Sequence, residues 1–213
     1  MNDRYRDTVA EINLNNIFDN FMSVKKILKN KTVIPVVKAN AYGHGCIEVS
    51  KFLAENGVDY FAVSLLEEGL ELRKSLPDVE ILCMGVIMGA GLQIAAENNI
   101  TVTICDSDQI TDLPVLKRKL KVHLKIDSGM NRLGFKTDEE IVTNFNVLLN
   151  HNFIELEGIY THFSTADVDK VYYDKQTIRF NDVLALLDYK FKMIHVSNSS
   201  SAIKYEHNFD YTT

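Results

Sequence analysis

Lys121-Val122-His123-Leu124-Lys125-Ile126-Asp127 decides between the two folds open to this chain. Val122, Leu124 and Ile126 share one face, and Lys121, His123, Lys125 and Asp127 the other, as the two-residue period of a strand requires. A strand covered by helices on both faces of an open sheet reads as a nearly continuous apolar run. A barrel strand can turn its apolar face outward to the helices and a polar face to a functional interior. The stretch therefore predicts a barrel, with Lys125 and Asp127 inside, where a lysine needs a counter-charge.

Outward from this stretch, apolar β-branched runs alternate with helix-period segments. The strand candidates are Val9–Leu14, Thr32–Lys38, Tyr60–Ser64, Ile81–Val86, Ile100–Cys105, Lys121–Asp127, Ile154–Phe163 and Met193–Asn198. Between them, Ile17, Phe21, Val24 and Leu28 recur at helical spacing, as do Ile141, Phe145, Leu148 and Leu149, and Phe180, Val183, Leu184 and Leu187. Thr137 followed by Glu140 starts the second of these as a capping box. The alternation predicts an α/β chain, a (β/α)8 TIM-like barrel, with a doubly wound open sheet as the alternative. No GxGxxG follows a first strand, which weakens the dinucleotide-binding form of that alternative.

The 213 residues, 46% hydrophobic and 24% charged, suit one large core. The net charge of -6 argues against nucleic acid as the main partner. Cys46, Cys83 and Cys105 are an odd, widely spaced set with no CxxC pair, so neither a structural zinc site nor any other metal site is expected. Residues 1–7 hold no apolar signal core, and Ile81–Leu92, the longest apolar stretch, is interrupted by three glycines. A soluble, cytoplasmic chain without membrane partners is the expectation.

In a β/α barrel, chemistry sits at the C-terminal ends of the strands. One such end reads Val33-Ile34-Pro35-Val36-Val37-Lys38-Ala39-Asn40-Ala41-Tyr42-Gly43-His44-Gly45. An apolar strand that delivers an amine to its own end makes a reactive lysine, and the glycines after it let backbone approach a phosphate. The bland alternative is a lysine snorkelling from a strand end. Other ends carry Arg132 in Asp127-Ser128-Gly129-Met130-Asn131-Arg132-Leu133-Gly134, His162 in Tyr160-Thr161-His162-Phe163, and Ser199 in His195-Val196-Ser197-Asn198-Ser199. Lysine, tyrosine, arginine, histidine and serine on one rim favour a phosphate-bearing electrophile, pyridoxal phosphate.

With these motifs assembled, the chain resembles the N-terminal barrel of the alanine racemases, pyridoxal-phosphate enzymes of fold type III. The stretches that carry the resemblance are Thr8–Leu14, Val36–Gly45, Phe61–Ser64 with Glu67-Glu68-Gly69, Lys125–Gly134, Thr161–Ser164 with Ala166-Asp167, and His195–Ser199, in family order along nearly the whole chain. The resemblance implies that Lys38 is the Schiff-base lysine and an acid/base on one face of the substrate. It implies that Tyr42 and Ser199 hold the phosphate, and that Arg132 contacts the cofactor's phenolic oxygen near the substrate carboxylate. His162 would lie beneath the pyridine ring, and Lys125 would be a lysine that many members carry as a carbamate. The implied reaction interconverts L- and D-alanine for cell-wall peptidoglycan, in a homodimer.

The resemblance also implies a C-terminal β domain that follows the barrel and brings a tyrosine acting on the opposite face of the substrate. It assigns residues 9–14 to the sheet of that domain, leaves seven barrel strands, and so predicts a barrel incomplete at its C-terminal end, with two open strand edges and weak or no activity alone. A non-catalytic carrier of pyridoxal phosphate and a serine or broad-specificity racemase remain the alternatives. Simpler roles are expected elsewhere: His123, His151 and His207 as ordinary histidines, and His44 capping a turn. Asp106-Ser107-Asp108 would start a helix with Ser107 or Asp108 at the cap, Glu67-Glu68 would lie in a first helical turn, and Ser199–Ser201 would open a helix.

Overall fold

The computed structural model describes residues 8–29, 31–196, 198–205 and 211–212, the last two by their backbone. Helix α1 (Leu14–Ile27) leads into β1 (Thr32–Val33), a helical turn α2 (Lys38–Tyr42) and α3 (Cys46–Glu55). Four βα units follow: β2 (Tyr60–Val63) with α4 (Leu66–Ser75), β3 (Glu80–Val86) with α5 (Ala90–Glu97), β4 (Thr101–Ile104) with α6 (Ser107–Thr111), and β5 (Leu120–Lys125) with α7 (Asp138–Leu149). The chain ends on β6 (Ile154–Tyr160), α8 (Lys170–Leu187), β7 (Met193–Val196), α9 (Ser199–Lys204) and β8 (Tyr211–Thr212).

The eight strands among the described residues all run parallel, in the order β1-β8-β7-β6-β5-β4-β3-β2. The ends of that order meet. Val36 bridges Ala62, with Val37 N–H donating to the Ala62 carbonyl at 2.8 Å and Ala62 N–H to the Pro35 carbonyl at 3.0 Å. The fold is thus the TIM-like barrel expected from β5. Its eighth position is filled only by a two-residue strand, so the barrel is thinnest at its C-terminal end. That stub pairs with both β7 and β1, which corrects the expectation of seven strands with open edges. Two paired residues are too short to leave a periodic signal.

Val9–Leu14, the other strand candidate, is not a strand. Residues 8–13 have no regular structure, and Leu14 opens α1 behind Asn13, whose side chain accepts from Asn16 N–H at 3.2 Å. Val9 and Ile12 lie exposed. The alternation seen there describes a segment without a partner strand among the described residues.

The core has two layers. Val122, Leu124 and Ile126 belong to the large cluster between strands and helices, with Leu92, Ile141, Phe145 and Leu148. Ile34, Tyr60, Ala62, Leu82 and Met193 form a second, smaller cluster drawn from the residue after β1 and from β2, β3 and β7. Apart from Gly158 and Tyr160, the remaining buried strand positions are polar: Thr101, Thr103, His123, Lys125, Glu157 and His195. The alternation in β5 therefore has the meaning expected of it. Thr137 and Glu140 form the expected capping box of α7, while the cap of α6 is Asp106, one residue earlier than expected. No helix among the described residues is long and apolar enough to cross a membrane.

Candidate active site

Lys38 ends the β1 segment, and the backbone then turns the wrong way. Ala39, Asn40, Ala41 and Tyr42 all have φ between 49° and 55°. Four consecutive non-glycine residues in the left-handed region cost about 1–2 kcal/mol each, so the surroundings must hold them there. Asn40 Oδ1 accepts from Cys46 N–H at 2.8 Å, and His44 Nδ1 lies 2.8 Å from the Ala41 carbonyl, the turn cap expected of it. Gly43 and Gly45 have φ of 91° and 94°. Their role is to leave the left-handed turn, and it is Tyr42 and His44 that line the pocket; this replaces the reading of the glycines as a phosphate approach.

A carboxylate anchors this turn. Glu68, in the first turn of α4, accepts from Ala39 N–H at 2.6 Å through one oxygen, and from Ser64 and Leu65 N–H at 2.9 and 3.0 Å through the other. Burial alone would raise its carboxyl, but the three N–H donors and nearby Lys38 outweigh it and hold it below the usual carboxylate range. Glu68 thus ties the end of β2 to the residue after Lys38.

Arg132 sits on a loop built the same way. The buried Asp127 carboxylate accepts from the N–H groups of Gly129, Asn131 and Arg132 at 2.9–3.1 Å. The loop closes on β5 through Phe135 N–H to the Lys125 carbonyl, 3.1 Å, and Asp127 N–H to the Phe135 carbonyl, 3.0 Å. Gly134 allows that closure, since it has φ of 120° and a Cβ there would lie 2.6 Å from Asp127 N.

Lys125 is buried, its Nζ 4.2 Å from the centre of the Tyr160 ring. Burial, with Arg132 nearby, brings its ammonium down to about 7. Burial and the neighbouring Lys125, Arg132 and Lys38 bring His162 down to about 4, so its imidazole is neutral at pH 7. Ser199 opens α9 behind Asn198, whose side chain accepts from Ser201 N–H at 3.0 Å and donates to the Phe163 carbonyl at 3.0 Å, tying the ends of β7 and β6 together.

Lys38, Tyr42, Lys125, Arg132, His162 and Ser199 all line one cavity of about 1020 Å³ at the C-terminal ends of the strands. Its donors are cations and hydroxyls, a set that fits an anionic electrophile such as pyridoxal phosphate. A family model described as alanine racemase, N-terminal domain, matches residues 12–212. The chain belongs to the alanine racemase family. It is 37% identical to the alanine racemase of Halalkalibacterium halodurans, over 97% of this chain and 56% of that protein. It is 42% identical to that of Streptococcus pyogenes, over 93% and 55%. Among solved structures, the alanine racemase of Bacillus anthracis with bound L-Ala-P superposes with a TM-score of 0.91 at 32% identity, over 98% of this chain and 56% of that one. The histidine racemase of Leuconostoc mesenteroides gives 0.90 at 28%, over 99% and 59%. The chain spans about half the length of the curated relatives it matches.

Every site residue that the alanine-racemase resemblance singles out reaches this cavity. Sequence reading missed the residues that hold them: Glu68 and Asp127 carry backbone N–H groups, and Tyr160 carries Lys125. Asp127 had a local signal, a carboxylate two residues before a glycine, as in an Asx-turn. Glu68 had none, because Ala39 is 29 residues away in the chain. His123 is buried, with a partner in His195. His151 accepts from Phe153 N–H at 3.2 Å, and His207 and Ser197 lie outside the described residues.

Proposed function

We propose that this chain is the cofactor-binding barrel of an alanine racemase and that Lys38 is its reactive amine. The observation that carries this reading is Lys38 on a left-handed turn held by Glu68, at a cavity it shares with Tyr42, Arg132, His162 and Ser199. When bound, pyridoxal phosphate supplies an aldehyde that condenses with amines and a ring that stabilises negative charge at the α-carbon. Tyr42 and Ser199 hydroxyls would hold its phosphate, and Arg132 would draw the substrate carboxylate toward the mouth. His162, kept neutral by burial and by its cationic neighbours, would lie beside the ring without adding a charge. Lys38 Nζ takes the α-proton on one face of the substrate and returns it there. Inversion needs a second proton donor on the other face, which this reading assigns to a partner domain and subunit outside the described residues. The chain alone is then expected to turn over alanine weakly or not at all. Residues 9–14, of which 9–13 are exposed and without a strand partner among the described residues, belong in this reading to the sheet of that further domain.

Reduction with borohydride in the presence of pyridoxal phosphate should fix the cofactor's mass to the peptide containing Lys38 and to no other. Labelling elsewhere, with position 38 free, would sink the proposal. Exchange of the alanine α-proton for deuterium distinguishes a racemase barrel from a non-catalytic carrier, which catalyses none. The histidine racemase likeness favours a second substrate range, so the same exchange assay should include histidine and serine.

Lys125 is proposed to carry a carbamate. Its ammonium, brought down to about 7, leaves much free amine at neutral pH. The amine lone pair attacks the carbon of carbon dioxide, an N–C bond forms, and a proton is released to water. The product replaces a buried cation with an anion that can pair with Arg132. Labelled bicarbonate should give one carbamate carbon resonance that Lys125→Ala lacks; its absence from the unaltered protein would refute the assignment.

A further inference from the structure

Beneath the pocket floor the barrel holds a column of polar side chains that the proposed reaction does not use. Lys192, just before β7, has its side chain 66% exposed, and its Nζ is 2.6 Å from Glu157 Oε1. Glu157 Oε2 is 3.5 Å from His123 Nε2, and His123 Nδ1 is 2.8 Å from His195 Nε2. The His195 ring then stacks on Tyr160, centres 4.4 Å apart and planes 10° apart, and Tyr160 carries Lys125 on the pocket floor. Glu157, His123 and His195 are all buried. Tyr160 completes the layer, its hydroxyl 2.8 Å from Thr103 Oγ1.

The column is built into the sheet. The β5–β6 register shifts between Val122 and His123, so an extra β6 residue lies between the partners of those two. That residue is Glu157, and such a bulge re-aims a side chain. The next residue is Gly158, where a Cβ would lie 2.8 Å from the His123 ring. A bulge, a glycine and an ion pair that reaches solvent together seat two imidazoles against each other.

The charges dictate how these rings are protonated. Glu157 is balanced by Lys192, and Lys121 is engaged by Glu80 at 2.9 Å, so no carboxylate remains for a histidine cation. Both rings are then neutral, each with one N–H. An ionised carboxylate only accepts, so the proton of His123 must be on Nε2, facing Glu157. Nδ1 of His123 is then an acceptor, and the 2.8 Å contact requires the N–H on Nε2 of His195. This leaves His195 Nδ1 bare. Among the described residues that nitrogen has no hydrogen-bond partner, and His123 Nε2 and Glu157 Oε2, likewise without one, face each other at 3.5 Å.

We propose that Glu157, oriented by Lys192, is a positioning residue that fixes the tautomers of the His123–His195 pair and presents His195 Nδ1 as a bare acceptor beneath the pocket floor. Its bearing on catalysis rests on the function proposed above. Its test does not, because it reads nitrogen protonation without cofactor or substrate.

The test is nitrogen-15 NMR of the histidine rings in the purified protein at pH 7. Both rings are expected as neutral Nε2–H tautomers, with the Nδ1 of His195 showing the shift of an unprotonated imidazole nitrogen. A proton on His195 Nδ1, or a cationic ring, overturns the proposal in the unaltered protein, whether or not any variant folds. Glu157→Gln supplies the sharper arm. Lys192 holds the amide oxygen, so the amide N–H₂ must donate to His123 Nε2. Both rings should then invert to Nδ1–H. Adding Lys192→Met frees the amide to face either way, and a mixture of the two tautomers is expected. Unchanged tautomers in Glu157→Gln would show that Glu157 does not set them.

Discussion

Glu68→Ala should cost the protein about 3 kcal/mol of stability and weaken pyridoxal-phosphate binding by about 100-fold, effects large for a half-buried residue outside the pocket wall. The stability figure follows from its contacts. Three backbone N–H groups on two segments converge on one carboxylate, and a hydrogen bond to a charged group contributes about 1.5–3 kcal/mol, reduced here because water can reach Ala39. The binding figure follows from strain. Ala39 through Tyr42 sit in left-handed conformations that cost about 1–2 kcal/mol each, and the carboxylate holds the first of them against relaxation. Without it the turn unwinds, and the Lys38 amine and Tyr42 hydroxyl leave their places at the cavity. Glu68→Gln should fall between, since one of its two oxygens becomes a donor facing an N–H. Ala39→Gly should be neutral or stabilising by up to about 1 kcal/mol, because glycine enters the left-handed region without a Cβ penalty. Urea unfolding and a fluorescence titration with pyridoxal phosphate measure both quantities. A Glu68→Ala protein that binds the cofactor as the unaltered protein does would show that the turn is held elsewhere.

The strand cycle and the rim were legible because both are written in local patterns. The alternation through Lys121–Asp127 separated helix-facing from interior residues, and Lys38, Arg132, His162 and Ser199 stand at strand ends that periodicity alone locates. What stayed hidden depends on contacts between distant residues. Nothing in Glu67-Glu68 tells a helix-dipole carboxylate from one that reaches back to Ala39, because the same residue satisfies both. Val9–Leu14 misled in the opposite way: its pattern is that of a strand, but no neighbour among the described residues pairs with it. Tyr211–Thr212 pairs on both sides yet is too short to carry a period. His123 illustrates a subtler failure. Its position on the polar face of β5 was readable, but its partner His195 is 72 residues away and on another strand. The bulge that admits Glu157 to the interior leaves no mark in composition.

Those buried imidazoles should also make the protein acid-labile well above the range where carboxylates titrate. Burial lowers His123 and His195, and burial with the cations of the pocket takes His162 to about 4. Each is held toward its neutral form in the folded chain, whereas in the unfolded chain a histidine takes up a proton as pH falls through about 6.5. The unfolded state therefore binds more protons, and stability falls as pH falls. The contribution of these groups is complete above about pH 6.5 and is lost as pH falls, for His162 at about 1.4 kcal/mol per pH unit until its folded value near 4 is reached. His162 alone gives a slope near 1.4 kcal/mol per unit down to about pH 4, and the two buried rings act in the same direction, against a total stability of about 5–15 kcal/mol for a domain. The groups facing them do not offset this. Lys125, at about 7, loses its own contribution between about 10.5 and 7, at higher pH. Glu68 is held below the usual range and Glu157 at about 2, so both add to acid sensitivity only below about pH 4.5. Stability should therefore fall from about pH 6.5 downward, before the carboxylates titrate, where a chain with ordinary exposed histidines would lose none on their account. Urea midpoints measured from pH 7.5 down to 5 give the slope directly. His195→Phe, which removes one of the titrating rings and still fills the space against Tyr160, should reduce the slope. A slope below one proton over this range would mean that the imidazoles are already charged or paired in the folded state.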